Sequence, residues 1–196
     1  MAKQKYPGWV RIIGGCWRGR RIAVPELSDL RPTGDRIRET LFNWLAAVIE
    51  GAQCLDLFAG AGALGLEAAS RGAARVMMLD QDRRVAAHLQ AITKELNGGH
   101  VEILCADALR WLATVSPTPF DIVFLDPPFR LDCLAECCRL LASRDWLKPG
   151  AWVYLETARR ADMPQLPPGW KIRRDKTAGE VRYMLVEAGT TKGDAA

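Results

Sequence analysis

The sequence predicts an α/β fold, a mostly parallel β-sheet with helices packed on both faces. Five apolar segments of five or six residues alternate with longer stretches of helical periodicity. The apolar segments lack the polar alternation of a half-exposed strand, so both faces of the sheet must be covered. A glycine-rich turn, DLFAGAGALGLEA at residues 56–68, joins the first of these strands to a helix. Together these observations indicate a single α/β domain.

Composition and charge are those of one compact domain with a basic arm. The chain has 196 residues, 49% hydrophobic and 26% charged, which is enough to bury a sizeable core. The net charge is +4, but residues 1–38 hold nine lysines and arginines against three acids, a net charge of +6. A basic arm on a near-neutral body is typical of a phosphate-binding surface. From charge alone, a solvated terminus without a binding role explains it equally well.

Other features exclude several protein classes. No segment approaches the roughly 20 apolar residues of a membrane span, and the N-terminus lacks the apolar core of a signal peptide. We therefore expect a cytoplasmic protein without membrane contact. The cysteines form no C-x-x-C pair and only two histidines accompany them, so we expect no metal site and mostly buried, reduced thiols. The cysteines are Cys16, Cys54, Cys105, Cys133, Cys137 and Cys138.

The first predicted elements are a β-hairpin and a helix. Residues 9–13 and 20–24 are strand-like segments joined by GGCWRG, with arginines at the tip and on one face. The segment RPTGD then supplies a proline and a capping Thr or Asp before a helix whose apolar positions share one face. These positions are Ile37, Leu41, Trp44, Leu45 and Val48.

Strands and helices alternate along the rest of the chain. The predicted buried strands are QCLDLF, RVMMLD, VEILC, DIVFLD and AWVYLE, separated by helical stretches such as DRRVAAHLQAITKEL and LDCLAECCRLLAS. The segment WKIRRDKTAGEVRYMLVEA predicts instead an antiparallel C-terminal hairpin that turns at residues 178–179. We divide the chain into a basic N-terminal hairpin extension (1–32), a main domain (33–188) and a flexible tail (189–196).

The glycine turn predicts a site for an adenosine cofactor. Gly60, Gly62 and Gly65 have the G-x-G-x-x-G spacing after a strand and before a helix. Asp80 lies twenty residues after Gly60, at the end of the second strand, where it can accept hydrogen bonds from ribose hydroxyls. This pattern suits NAD and S-adenosylmethionine (SAM) equally well.

Further residues near the glycine turn and the strand ends distinguish between the two cofactors. A carboxylate at Asp56 would repel a pyrophosphate but attract the ammonium of SAM, while N–H groups of the turn bind the SAM carboxylate. Phe58 and Gln81 lie beside these acids in the chain and belong to the predicted cofactor site. Asp107, followed by Ala108, is placed either to accept a hydrogen bond from the adenine amine or to cap the next helix, and the two roles are compatible.

The stretch DIVFLDPPFR, at residues 121–130, predicts the catalytic site. Four apolar residues put Asp126 at the carboxyl edge of the sheet, where ligands bind in open α/β folds. Pro127 and Pro128 fix the backbone and leave carbonyls that can only accept hydrogen bonds. We expect Asp126 and the Pro127 carbonyl to bind the N–H groups of an exocyclic amine of guanine, adenine or cytosine, with Phe129 stacked on the base. That base must be unpaired or flipped out.

Several motifs resemble a known enzyme family. DPPF after the fourth strand, with DLFAGAG upstream, resembles the amino-methyltransferases of the Rossmann-like class I fold. The motifs RIIGGCWRGRRI, LRPTGDRIRETLFNWL, CLDLFAGAGALGLEA, VFLDPPF and KTAGEVRY together resemble the bacterial 16S ribosomal RNA guanine-N2 methyltransferases, from about Val10 to Val186. The resemblance implies SAM-dependent methylation of one guanine N2 in a hairpin loop near the decoding region, on the assembled or assembling 30S subunit. Ala61 and Phe129 depart from the family pattern, where a hydroxyl residue and Tyr are common, but both changes keep the acceptors and the stacking ring.

The basic arm is the candidate RNA interface within this interpretation. Residues 126–150 leave no room for a DNA target-recognition domain, so we expect no duplex DNA substrate. Thr33 and Arg36, in and after the RPT turn, are placed to contact either the RNA or the methionine end of the cofactor. We also expect a monomer. The candidates for RNA phosphate contacts are Arg11, Arg18, Arg20, Arg21, Arg36 and Arg38.

Other functions share parts of these motifs. A DNA adenine or cytosine methyltransferase would also use residues 126–129 and would methylate duplex DNA. A non-catalytic ribosome-assembly factor would keep the fold without consuming cofactor, although Asp56, Asp80 and Asp126 argue against it. A protein glutamine methyltransferase is disfavoured, because that group resembles N-P-P-Y where this chain has Asp126.

Overall fold

The computed structural model describes residues 8–24 and 33–189. Strands and helices alternate from the third strand to the seventh, as the sequence predicts. The strands are β1 (Gly8–Arg11), β2 (Arg21–Val24), β3 (Gln53–Asp56), β4 (Arg75–Asp80), β5 (Val101–Cys105), β6 (Phe120–Leu125), β7 (Leu147–Ala158), β8 (Lys171–Ala178) and β9 (Val181–Glu187). The helices are α1 (Asp35–Trp44), α2 (Gly65–Ser70), α3 (Arg83–Glu95), α4 (Ala108–Thr114) and α5 (Leu134–Ser143).

A seven-stranded sheet forms the centre of the molecule, with the strand order β5-β4-β3-β6-β7-β9-β8. Strands β3 to β7 pair in parallel, and β9 is antiparallel to both of its neighbours. The predicted mostly parallel sheet and antiparallel C-terminal hairpin are therefore confirmed. The direction of strand succession reverses between β3 and β6, and ligands bind at the carboxyl ends of the strands that flank such a point.

Helices cover both faces of the sheet. One core cluster contains Leu41 of α1, Leu66 of α2 and Leu89 of α3. The other contains Leu112 of α4 and Leu141 of α5. Burial on both faces explains why the parallel strands are apolar throughout rather than alternating. Within residues 8–24 and 33–189, no helix has the length and apolar character needed to cross a bilayer.

The cysteines behave mostly as small apolar residues. Burial of their side chains was predicted, and it is confirmed for four of the six. Burial raises the pKa of the Cys54 thiol well above its ordinary value, so that side chain stays neutral. The buried residues are Cys54, Cys133, Cys137 and Cys138, whereas Cys16 and Cys105 are exposed.

Helix α1 begins differently from the prediction. Its N-cap is Gly34, and no side chain caps the helix. The expected Thr or Asp cap is wrong because both candidates have other partners. Thr33 Oγ1 donates to Asp126 Oδ2 at 2.9 Å, and Asp35 Oδ1 accepts from Arg38 at 2.6 Å.

The apolar face of α1 is confirmed for its first part. Ile37, Leu41 and Leu45 are buried. Trp44 is half-buried and stacks on Tyr183 with 5.5 Å between ring centroids. Val48 is 37% exposed and lies beyond the end of the helix at Trp44, so its assignment to the buried face is wrong. The helix ends earlier than the apolar periodicity indicates.

The N-terminal hairpin packs against the main sheet region. β1 and β2 pair antiparallel with Trp9 opposite Ala23, which confirms the predicted hairpin. Val10, Ile12 and Ile22 are buried in the same core cluster as α1 and α2. The predicted division of the chain at residue 32 stays a prediction, because residues 25–32 lie outside the described ranges. The same holds for the tail, of which only residue 189 is described.

Two side chains of α2, Glu67 and Ser70, hold the hairpin in place, and we call them the hairpin anchor. Glu67 is fully buried, and its carboxylate oxygens accept hydrogen bonds from the Ile13 and Gly14 amides, each at 2.8 Å. The Arg38 guanidinium lies 3.3 Å from one Glu67 oxygen and the Arg71 guanidinium 2.7 Å from the other. The buried charge of Glu67 is therefore compensated by two cations and two amide donors, as burial of a carboxylate requires.

The turn of the hairpin contacts α2 through its backbone. The Ser70 hydroxyl donates to the Gly14 carbonyl at 2.6 Å and accepts from the Trp17 amide at 2.9 Å. Gly15 has a φ of +76°, and a Cβ atom there would lie 1.7 Å from the Ser70 carbonyl oxygen. Only glycine permits this close approach. The hairpin turn and α2 thus form one packed unit.

Candidate active site

Acidic side chains gather where the parallel strands end. Asp56 and Asp80 are the last residues of β3 and β4, and Asp126 directly follows β6. Glu156 lies near the end of β7, the next strand across the sheet. Because β3 and β6 flank the reversal of strand order, Asp56 and Asp126 border the crevice where open α/β sheets bind ligands.

The glycine turn between β3 and α2 is shaped by left-handed backbone and internal packing. Gly60 has a φ of +51° and Gly62 of +78°. The Gly60 amide donates to Asp80 Oδ2 at 3.0 Å, and the Gly62 amide to the Ala59 carbonyl at 2.7 Å. A Cβ atom at Gly62 would lie 2.7 Å from Leu89 Cδ2. Both glycines therefore fix the shape of the turn through protein acceptors, and their predicted contact with a cofactor stays a prediction.

Asp56 binds the backbone at the end of the glycine turn, where α2 starts. Its carboxylate is 1% exposed and accepts from the Gly65 amide at 3.0 Å, at the start of α2. Burial raises the pKa of Asp56 to about 7, and the negative charge of Asp126 adds to the rise. The predicted attraction of a cofactor ammonium to Asp56 stays a prediction, and the structure shows that one carboxylate oxygen already binds the helix N-terminus.

Asp80 is held at the end of β4 by two amides. Its Oδ2 atom accepts from Gly60 and its Oδ1 atom from Asp82 at 2.8 Å. Burial raises the pKa of Asp80, while these two hydrogen bonds lower it. Each carboxylate oxygen keeps a lone pair for a further donor. Gln81 beside it is exposed and Phe58 in the turn is half-buried, so both are accessible from the same edge.

Asp107 caps helix α4. It is the N-cap residue, and its Oδ1 atom accepts from the Arg110 amide at 2.8 Å. The predicted capping role is therefore confirmed. The side chain of Asp107 is exposed, whereas Ala108 behind it is 6% exposed. A contact with an adenine amine stays a prediction, and the second carboxylate oxygen of Asp107 is the group that would make it.

The DPPF motif forms a rigid turn with an exposed ring. Pro127 is buried and Pro128 exposed, and the Pro128 carbonyl accepts from the Leu131 amide at 2.8 Å. Phe129 is 50% exposed, a large apolar ring facing solvent directly after the prolines. The turn therefore combines a fixed backbone, the Asp126 carboxylate and an unstacked aromatic face, as the sequence predicts.

Glu156 joins the site although the sequence analysis did not single it out. It is 3% exposed. The parallel register pairs Leu125 of β6 with Leu155 of β7, so Asp126 and Glu156, one residue further on, adjoin at the sheet edge. This register places the two carboxyl groups close enough for each to shift the pKa of the other. The Tyr154 hydroxyl donates to Glu156 Oε1 at 2.6 Å.

The two adjoining carboxyl groups influence each other's pKa. Burial raises the pKa of Asp126 to about 6, and the hydrogen bond from Thr33 limits the rise. Burial raises the pKa of Glu156 to about 8, and the negative charge of Asp126 contributes. A buried carboxylate and a half-buried one that adjoin do not both ionise at low energetic cost, so the pair titrates as a unit.

The signal for Glu156 was present in the sequence. AWVYLE ends on an acid as DIVFLD does, and both are apolar strands of the same sheet. The Thr33 hydroxyl, near the turn before α1, donates to Asp126, and its predicted contact with RNA or cofactor stays a prediction.

Five of the six arginines proposed for RNA contacts are exposed. Arg38 is the exception, at 1% exposure, and its assignment to the RNA interface is wrong. Its guanidinium binds Glu67, Asp35 and the Arg11 carbonyl, so it compensates the buried charge of the hairpin anchor. The exposed arginines are Arg11, Arg18, Arg20, Arg21 and Arg36.

The amino-acid sequence is similar to a protein family and to known relatives along most of its length. Residues 10–187 match the family described as Conserved hypothetical protein 95. The chain is 48% identical to ribosomal RNA small subunit methyltransferase D of Escherichia coli (strain K12), over 92% of this chain and 90% of that protein. It is 44% identical to the protein of the same name from Haemophilus influenzae, over 92% of this chain and 94% of that protein.

Solved structures show the same architecture. The yhhF protein of Escherichia coli superposes with a TM-score of 0.87 at 45% identity, over 93% of this chain and 99% of that one. The strand order, the antiparallel last hairpin and the acidic carboxyl edge are those of the class I methyltransferase fold, which confirms the predicted fold class. The chain belongs to the Conserved hypothetical protein 95 family, the family of the small-subunit ribosomal RNA methyltransferases D.

Proposed function

We propose that this protein transfers a methyl group from SAM to the exocyclic N2 amine of a guanine in small-subunit ribosomal RNA. The proposal extends the activity in the names of its relatives to this chain. One observation carries it: Asp126, with the rigid prolines and the exposed Phe129 ring after it, lies at the crevice of the sheet. This arrangement suits an unpaired base that carries an amine. We propose that the enzyme acts as a monomer on the assembled or assembling 30S subunit.

The residues along β3, β4 and β5 fit SAM as the cofactor. The Asp80 carboxylate has lone pairs for ribose hydroxyls, and the exposed Asp107 carboxylate has one for the adenine amine. Phe58 and Gln81 lie on the same accessible edge. SAM supplies an electrophilic methyl group on a sulfonium centre. The carboxylate of Asp56 favours a cofactor with a positive charge over one with a pyrophosphate.

Asp126 carries the chemistry on the side of the substrate. Its carboxylate accepts a hydrogen bond from the target amine, which orients the nitrogen lone pair and stabilises the positive charge that develops on nitrogen. The Pro127 carbonyl accepts from the second N–H group. The proton that the amine loses on methylation would pass to solvent by way of the Asp126 carboxylate, which accepts its hydrogen bond. Phe129 holds the base plane by stacking, and no covalent protein intermediate forms.

The test is transfer of labelled methyl from SAM to 30S particles that lack the modification. Free ribosomal RNA and duplex DNA are assayed in parallel, and the products are analysed as nucleosides. We expect N2-methylguanosine from the particles. Methylation of duplex DNA would identify a DNA methyltransferase instead. SAM binding without transfer to any substrate would indicate an assembly factor.

Removal of the Phe129 ring weakens substrate binding. Because base stacking on an aromatic side chain contributes about 1–3 kcal/mol, we expect Phe129→Leu to raise the KM for the RNA substrate about tenfold or more. Phe129→Tyr keeps the ring and the wild-type KM. Ile172→Ala removes another exposed apolar side chain, 41% exposed on β8, and serves as control. Equal KM values for the Leu and Tyr variants would contradict the stacking role.

The exposed arginines of the hairpin determine the salt dependence of binding. We expect Arg18→Gln, Arg20→Gln and Arg21→Gln each to lower the slope of log Kd against log salt by roughly one, because each phosphate contact releases about one counterion. Arg139→Gln is the control, since Arg139 is 60% exposed and pairs with Glu136 on α5. An unchanged slope in all three hairpin variants would place the RNA on another surface.

A further inference from the structure

Glu156, whose carboxyl group adjoins that of Asp126, has no role in the proposed reaction so far. Glutamate is almost never fully buried unless it is paired. Glu156 is 3% exposed, and its neighbours in the described part of the chain include the Tyr154 hydroxyl and another acid, Asp126, but no cation. Such a contact persists only when one of the two groups is protonated, because a hydrogen bond between carboxyl groups requires a proton on one of them.

Burial indicates which group holds the proton, because Glu156 is 3% exposed whereas Asp126 is only half-buried. The Tyr154 hydroxyl donates to Glu156 Oε1, so the other Glu156 oxygen is the one that can carry a proton toward Asp126. The Thr33 hydroxyl donates to Asp126 Oδ2 at 2.9 Å and occupies one lone pair of that oxygen. The higher pKa of Glu156 agrees with this assignment.

We propose that Glu156 is a positioning residue for Asp126: it holds the shared proton and donates it as a hydrogen bond. Asp126 then keeps one negative charge and one orientation, with its remaining lone pairs available to the substrate amine. This inference rests on the amine methylation proposed above. It assigns Glu156 no contact with substrate or cofactor.

The groups around Glu156 do not compensate a second negative charge. Asp126 faces it from the end of β6, and Tyr183 of β9 lies opposite it in the antiparallel register. Tyr154 contacts it from its own strand and Thr33 from the segment before α1. None of these four side chains is a cation. Ionisation of Glu156 therefore removes the donor to Asp126 and places two negative charges together.

The pH dependence of the reaction reports this ionisation. Burial and the adjoining Asp126 raise the pKa of Glu156 to about 8, so the second ionisation of the pair falls on the alkaline side of neutral pH. We expect the wild-type kcat to fall as the pH rises through this value. Glu156→Gln keeps an N–H donor for Asp126 and an oxygen for Tyr154, but it does not ionise. Its kcat at neutral pH should stay near the wild-type value, and this alkaline fall should be absent.

The experiment compares the pH profiles of kcat for the wild type, Glu156→Gln and Glu156→Ala on 30S particles. Glu156→Ala removes the donor, and we expect it to lower kcat about tenfold to a hundredfold at neutral pH, with SAM affinity unchanged. Thermal unfolding of each variant separates loss of fold from loss of positioning. If the Ala variant does not fold, the presence or absence of the alkaline fall in the kcat profile of the Gln variant tests the inference.

Two results would overturn the inference: the same alkaline fall in Glu156→Gln as in the wild type, or equally low neutral kcat values for folded Gln and Ala variants. If the wild type methylates none of the substrates, the proposed function fails instead. Infrared spectroscopy at neutral pH then tests the carboxyl pair alone. Loss of a protonated-carboxyl band in Glu156→Gln supports the inference, and an unchanged spectrum overturns it.

Discussion

Replacement of Asp126 by Asn should lower the kcat for methyl transfer by about a hundredfold to a thousandfold, the range for loss of one electrostatic contact to a transition state. Asn keeps the size of the side chain but has no charge to stabilise the amine nitrogen as it gains the methyl group. Affinity for SAM should be unchanged, because Asp80 and Asp107 are the acceptors proposed for the cofactor. Single-turnover rates and a separate SAM titration measure the two effects.

The Asp126 carboxylate also predicts how the wild-type kcat changes at acid pH. Asp126 is ionised above its pKa of about 6 and neutral below it, so kcat should fall as the pH decreases through this value. Asp132→Asn is a suitable control, because Asp132 is an exposed acid in the loop after the DPPF motif. Equal losses of kcat and SAM affinity in Asp126→Asn would contradict a role confined to the substrate amine.

Replacement of Glu67 by Ala should destabilise the protein by about 3–5 kcal/mol, because it removes the buried carboxylate from Arg38 and leaves this buried cation only the exposed Asp35 as an acidic partner. For a protein of this size, that loss lowers the Tm by about 10 °C. The Ile13 and Gly14 amides lose their acceptors in the same variant. We therefore expect trypsin to cleave at the hairpin arginines at lower temperature than in the wild type.

An exposed ion pair provides the control for Glu67. Glu102 pairs with Arg75 at 2.8 Å, and their side chains are 49% and 32% exposed. Glu102→Ala should cost at most about 1 kcal/mol, since solvent screens this pair. Urea unfolding monitored by circular dichroism measures both variants. Equal losses of unfolding free energy would show that the buried network around Glu67 contributes no more than a surface pair.

The sheet and its acidic edge could be predicted because they depend on local patterns. Strands buried on both faces are continuously apolar, and each acid that ends such a strand lies at the carboxyl edge. Asp56, Asp80 and Asp126 follow directly from this rule. Glu156 obeys the same rule, but its significance depends on the register between β6 and β7, which the sequence does not specify.

The burial of the Arg38 side chain depends on a partner that is distant in the chain. Arg38 adjoins Ile37 and the buried stripe of α1, and its charge favoured a surface position. It is buried because Glu67, 29 residues later, needs a cation. Helix α1 lacks the predicted Thr cap for the same reason, since the Thr33 side chain binds Asp126, 93 residues away. Pairings of this range are set by tertiary structure rather than by periodicity.

The hairpin anchor also constrains the order in which a growing chain becomes structured. The anchor residues Glu67 and Ser70 lie 53 to 56 residues after the backbone groups that they bind. An isolated two-stranded hairpin is at best marginally stable in water. During synthesis from the N-terminus, β1 and β2 therefore leave the ribosome well before their support exists, with Val10 and Ile22 still exposed to water. The first strands to be made become fixed only after α2 has emerged.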